Sequence, residues 1–170
     1  WNGDSGNRWA ANLARLDVML EDFGNAAIAA ADARPGEHIL DIGCGSGTST
    51  FPLADRVGAG GYVLGVDISE QLVEIARTAT PAGMPVEFRS ADAATAPLPA
   101  GHFDLLFSRF GVMFFDEPVA AFTHMRRALK PGGRLAFVCW RPLDLNPWMA
   151  RTISVATQYL ERPEPPGPDA

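Results

Sequence analysis

The chain has 170 residues, 47% of them hydrophobic and 20% charged, and a formal net charge of −6 from 20 acids against 14 bases. That length suffices for one domain with a sizeable core, and the acidic balance argues against a nucleic-acid backbone as partner, because such proteins carry a basic face. No apolar run approaches a membrane span and no basic-then-apolar leader opens the chain, so no membrane partner and a reducing, cytoplasmic setting are expected.

Arg8 to about Ala33 reads as helix, with Trp9, Leu13, Leu16 and Leu20 at three- and four-residue spacing and Gly24 dividing it in two. The run "HILDIG" reads as a strand apolar on both faces, the kind found in parallel sheets covered by helices. A helix from about Ser46 to Val57 follows, despite Pro52. "GGYVLGVDI" is a second strand, and Ser69 caps a helix through about Ala79. "PVEFRSAD" and "HFDLLFSRF" are the third and fourth strands. Asp116, Glu117 and Pro118 open a helix to about Leu129; "KPGG" is a turn, and "RLAFVCW" a fifth strand. Asn146 and Pro147 start a last helix through about Leu160. Alternating strand and helix predict an α/β fold, a doubly wound parallel sheet with strand order 3-2-1-4-5. Its ligand site belongs at the carboxyl ends of the strands.

Gly43, Gly45 and Gly47 lie between the first strand and the next helix, where glycine lets a ligand approach the backbone. A dinucleotide fingerprint needs G-x-G-x-x-G; here the spacing is G-x-G-x-G, with Thr48 at the third position. Asp41, two residues before the first glycine, would repel a pyrophosphate and attract a cation. S-adenosylmethionine carries an ammonium and a sulfonium and no phosphate, so Asp41 favours it over NAD. Asp67 ends the second strand, where an acid accepts ribose hydroxyls; Asp92 and the Ala93 N–H follow the third, placed to meet adenine. Cys44 and Cys139 lack Cys or His partners at metal-ligand spacing, so they read as reduced thiols, and no metal is expected. His38, His102 and His124 do not sit where strands end, and the residues name no general base.

"LDIGCGSGT", "GVDIS", "SADA", "FDLLFSRFGVMFF" and "LKPGGRLAFV", in this order, resemble class I S-adenosylmethionine-dependent methyltransferases. The similarity is to the group containing the ubiquinone/menaquinone-type small-molecule enzymes, and it runs from about Gly36 to Trp140. The resemblance implies a Rossmann-like fold and S-adenosylmethionine as cofactor, leaving S-adenosylhomocysteine. It places Asp41, Gly43, Cys44, Gly45, Gly47 and Thr48 at the methionine moiety, Asp67 and Ile68 at ribose and adenine, and Asp92 and Ala93 at adenine. It further implies that the Ser108 carbonyl, with Arg109 beside it, faces the methionine amine, and that Trp1, Asn2 and Trp9 fold over the cofactor. Phe110, Met113, Phe114 and Trp140 are candidate walls for a small apolar or aromatic acceptor, with Arg109 and Arg141 to orient an anionic group. The implied organisation is a helical cap over 1–34, the cofactor domain over 35–160 and a proline-rich segment over 161–170. Relatives add a strand pair after the fifth strand that is missing here; "RLAFVCW" would then be an apolar edge, so further chain or a partner is expected to cover it. An NAD-type oxidoreductase and a non-catalytic S-adenosylmethionine-binding module are the alternatives, and the residues leave the oligomeric state open.

Overall fold

In the centre of the sheet lies β1 (His38–Ile42), whose residues from Ile39 onward are all buried. The structure is a computed structural model that describes residues 4–160. Around β1 the strands β2 (Tyr62–Asp67), β3 (Val86–Ser90), β4 (Phe103–Arg109) and β5 (Leu129–Val138) pair in the order β3-β2-β1-β4-β5. All four ladders are parallel. From β1 the chain winds outward through β2 and β3, then returns to β4 on the other side, so the switch point lies between β1 and β4.

Strand alternation distributes the core between two layers. Leu40, Ile42, Leu64, Val66 and Leu106 face one side, where they meet Ala121 and Met125 of α5 (Pro118–Arg126). Ile39, Val63, Leu105 and Phe107 face the other, against Ile28 and Ala31 of α2 (Leu13–Ala31) and Leu53, Ala54 and Val57 of α3 (Thr50–Val57). The helix α4 (Glu70–Ala79) closes the β3 end through Val73 and Ala76 against Phe88. This two-sided burial is why β1 reads as a continuous apolar run.

Four boundaries before Cys139 differ from the sequence reading. The first helical stretch breaks at Asn12, between α1 (Asp4–Ala11) and α2, and Gly24 lies buried inside α2. Gly24 is there for space: a Cβ would stand 3.2 Å from Arg109 Cδ. The helix expected from Ser46 starts only at Thr50, which puts Pro52 in its first turn, where no N–H is required. Gly43, Gly45 and Gly47 all have positive φ (69°, 55° and 88°) and keep the preceding segment out of the helix. The helix expected to Leu129 ends at Arg126, because Leu129 already pairs with Phe103. "KPGG" is not a free turn but a bulge in β5: pairing moves from Phe103–Leu129 to Leu105–Arg134, with Gly132 at φ 79°.

The carboxyl end of α2 is tied to the sheet by Arg134. Its Nε donates to the Ala31 carbonyl at 2.9 Å and its Nη2 to the Asp32 carbonyl at 2.7 Å, and it pairs with Glu37 at 2.7 Å. Carbonyls left open by the helix end are thereby satisfied.

The chain divides into two units after Cys139. In the second, a short 3-10 turn (Leu143–Leu145) precedes α6 (Pro147–Ala156). Asn146 does not cap α6 with its side chain; its Nδ2 donates to the carbonyls of Arg141 and Pro142 instead. α6 stops at Ala156, short of the expected Leu160. No helix among the described residues is long and apolar enough to cross a membrane.

Candidate functional site

A cleft opens at the carboxyl ends of the strands. Its floor is the glycine turn after β1, with Ile42, Gly43, Cys44, Gly45 and Ser46. One wall carries Asp67, Ile68, Ala91, Asp92 and Ala93 from the ends of β2 and β3; the opposite wall carries Arg109, Phe110 and Gly111 after β4. Trp9, Leu13 and Leu20 of the first two helices complete it.

Two glycines set how closely the walls meet. A Cβ on Gly43 would lie 2.7 Å from Gly111 Cα, and one on Gly111 would lie 2.6 Å from the Ile42 carbonyl oxygen. Neither position has room for a side chain, so the loops after β1 and β4 touch backbone to backbone across the switch point. Ser108 secures the same junction: its Oγ donates to the Ile42 carbonyl at 2.7 Å and accepts from the Val112 N–H at 3.2 Å.

Asp67 projects into the cleft from the end of β2. Its Oδ2 accepts the Gly45 N–H and its Oδ1 the Ser69 N–H, each at 2.8 Å. Burial raises its pKa, against the opposing pull of those two N–H groups. Each carboxylate oxygen keeps a lone pair for a ligand hydroxyl. Beside it Ile68 is 43% exposed, an apolar side chain presented at the cleft mouth. The Asp92 carboxylate accepts the Ala94 N–H at 2.8 Å, so it shapes its own turn while lining the cleft.

Asp41 stands apart from these. Its side chain is wholly buried and does not line the cleft. Oδ2 accepts from the hydroxyls of Ser49 (2.8 Å) and Thr50 (2.7 Å), whereas Oδ1 has no hydrogen-bond partner. Burial pushes its carboxyl up to about 6, opposed by those hydroxyls and by the Arg109 guanidinium. The acid therefore acts as a buried charge behind the glycine turn. The same burial, with Asp41 and Asp67 nearby, raises the Cys44 thiol far above its ordinary range and keeps it protonated.

Of the other residues expected from sequence, Gly47, Thr48, Ser108 and Met113 lie outside the cleft lining. Gly47 packs where Phe51 and Phe88 would clash with a Cβ. Thr48 donates to Asp17 at 3.1 Å. Trp140 and Arg141 belong to the second unit, where the Trp140 ring lies 5.8 Å from that of Trp148. Trp1 and Asn2 lie outside the described residues, as does the segment 161–170. Sequence reasoning missed Gly111, Ser46, Leu72 and the lining role of Leu13 and Leu20. The heptad spacing of Leu13 and Leu20 was a usable signal, but it reads equally as helix packing.

His38 Nδ1 and His102 Nε2 share a hydrogen bond of 3.1 Å at the amino ends of the strands, opposite the cleft. His124 Nε2 bonds the Ala96 carbonyl at 2.8 Å. Among the described residues no group of three or more His, Cys, Asp or Glu side chains is placed to hold a metal.

A parallel sheet in the order β3-β2-β1-β4-β5 with a glycine turn at its switch point defines a Rossmann-like domain. Residues 40–137 match the family model described as "Methyltransferase domain", and the chain belongs to that family. It is 41% identical over 106 residues to nocamycin O-methyltransferase of Saccharothrix syringae, a match covering 61% of this chain and 38% of that one. It is 38% identical over 126 residues to aklanonic acid methyltransferase DauC of a Streptomyces species, covering 72% and 57%. A solved S-adenosylmethionine-dependent methyltransferase of Mesorhizobium loti superposes with a TM-score of 0.64 at 30% identity, over 70% of this chain and 53% of that one. In eight curated relatives the matched segment spans between 35% and 58% of their length.

Proposed function

We propose that this chain binds S-adenosylmethionine in the cleft and directs its methyl group to a small apolar or aromatic acceptor. The observation that carries this reading is the buried, half-partnered Asp41 behind a glycine turn that itself faces Asp67. An ionised carboxylate there gives the floor of the cleft a negative field, which suits an ammonium and a sulfonium and opposes a pyrophosphate. Asp67, with a lone pair left on each oxygen, would take the ribose hydroxyls; Ile68 and Ala93 would flank adenine, and Asp92 would accept its amino group. The close Gly43–Gly111 contact leaves the backbone bare for the methionine end. When bound, the sulfonium supplies an already activated methyl group.

The chain's own contribution is orientation and exclusion of water. Holding two reactants in line is worth several kcal/mol or more. Trp9, Leu13, Leu20, Phe110, Phe114 and Phe115 give the cleft an apolar wall, which favours a flat apolar acceptor and keeps water out. That Trp9, Leu13 and Leu20 line it supports reading residues 1–34 as a cap. All three histidines are engaged elsewhere, so no general base is assigned, and none is needed for an acceptor that arrives already nucleophilic. Two of the relatives bear names of small-molecule methyltransferases, which supports the same class of acceptor.

The test is transfer of a labelled methyl group from S-adenosylmethionine to a panel of phenolic and polycyclic aromatic compounds. Labelled small-molecule product is the expected result. Label found only in protein or RNA would contradict the proposed acceptor class.

A further inference from the structure

Arg109 and Phe110 are consecutive, and consecutive residues of an extended strand point to opposite faces. Here both reach α2. Phe110 has left-handed backbone, φ 66°, uncommon for a bulky residue. Its ring meets Phe23 of α2, centroids 6.1 Å apart at 72°. Arg109 Nη2 pairs with Asp17 Oδ1 of the same helix at 3.0 Å, with side-chain exposures of only 12% and 26%. To get there the Arg109 side chain crosses α2 at Gly24. Asp17 also accepts from Thr48 of the glycine turn, at 3.1 Å to either oxygen.

The two halves of α2 are held differently. The carboxyl half is fixed by Ile28 and Ala31 in the core, by Arg134 at its end, and by Arg56 Nη1 on the Ile28 carbonyl at 3.0 Å. In the amino half Leu20 is the only fully buried residue among those described. A second cavity runs beside α2, lined by Asp17, Gly24, Ile28, Thr48 and Arg109 among others. The amino half nonetheless supplies Leu13 and Leu20 to the main cleft.

We infer that Arg109 is a positioning residue: through Asp17 it holds the amino half of α2 in place as a wall of the cofactor cleft. Its charge is committed to that bridge and not to an anionic group of the ligand. The inference rests on the cleft being the S-adenosylmethionine site.

A double-mutant cycle tests it, with S-adenosylhomocysteine affinity measured by calorimetry for the unaltered chain, Arg109→Met, Asp17→Asn and the double variant. Methionine keeps an apolar stem over Gly24. If Arg109 acts through Asp17, each single change weakens binding by about tenfold and the double is no weaker than Arg109→Met. KM for S-adenosylmethionine rises in both single variants. Amide exchange accelerates across residues 9–20 and not in the strands. Normal affinity in Asp17→Asn, or single effects that multiply in the double variant, would overturn the inference. Should either variant fail to fold, Gly24→Ala keeps both charges and crowds Arg109; weakened binding is then expected, and unchanged affinity contradicts it. Failure of the unaltered chain to bind S-adenosylhomocysteine would instead defeat the cofactor reading.

Discussion

Asp41 concentrates the cost of this site in one side chain. Its carboxyl titrates at about 6 when folded, against an ordinary 3.8, because burial penalises the charged form. A folded-state pKa raised in an acid means the native state binds the proton more tightly. Asp41's contribution to stability is therefore greatest below the unfolded pKa, falls as pH rises between about 4 and 6, and stays lower above that, by roughly 3 kcal/mol. Asp41→Asn should flatten this fall in denaturant midpoints measured across pH 3.5 to 7 and, in the same variant, weaken S-adenosylhomocysteine binding. An unchanged pH slope would place the titration elsewhere. Asp67 is the second residue with a distinct expectation. Asp67→Asn puts an amide donor towards one of two backbone N–H groups and should weaken S-adenosylhomocysteine by about tenfold or more, read by calorimetry. The position of Asp67 at the end of β2 was legible in the sequence. That Asp41 would work from behind the turn was not, because which side of a strand end a carboxylate occupies depends on the hydroxyls of Ser49 and Thr50.

Among elements, the junction between the loops after β1 and β4 is the most sensitive to change. Gly111→Ala drives a Cβ to 2.6 Å from a carbonyl oxygen, so the loops must part. A loss of about 2 kcal/mol or more is expected, with reduced S-adenosylhomocysteine affinity. Gly101→Ala, also at positive φ but facing open space, should cost only about 1 kcal/mol and leave binding intact. Equal effects in thermal melts and calorimetry would remove the junction's special role. Arg134→Ala should cost about 1–3 kcal/mol by urea denaturation, because it opens the end of α2 and removes Glu37's ion pair. Every strand was legible from hydrophobic pattern. Two helix readings moved because of tertiary contacts, Gly24 serving Arg109 and Leu129 pairing with Phe103, whereas the late start of α3 is local, set by the positive-φ glycines before it. Gly111 shows the same limit, since nothing in "RFGVMFF" reveals that Gly43 lies against it.

At the scale of the whole molecule, the topology brings the ends of β1, β2, β3 and β4 to one cleft and leaves β5 at an edge of the sheet, with Leu135 and Phe137 exposed. The order of the strands followed from the alternation of elements, because a doubly wound sheet with right-handed crossovers admits few arrangements. The choice among nucleosides rests on charge: two acids at the cleft and a third behind its floor suit a cationic cofactor without phosphate. The most direct measurement is the melting temperature of this chain with S-adenosylhomocysteine and, separately, with NAD. A ligand present at a hundred times its Kd stabilises the native state by about 2.7 kcal/mol. A rise of several degrees with S-adenosylhomocysteine and none with NAD is expected; a rise with NAD alone, or with neither, would contradict S-adenosylmethionine binding in the cleft.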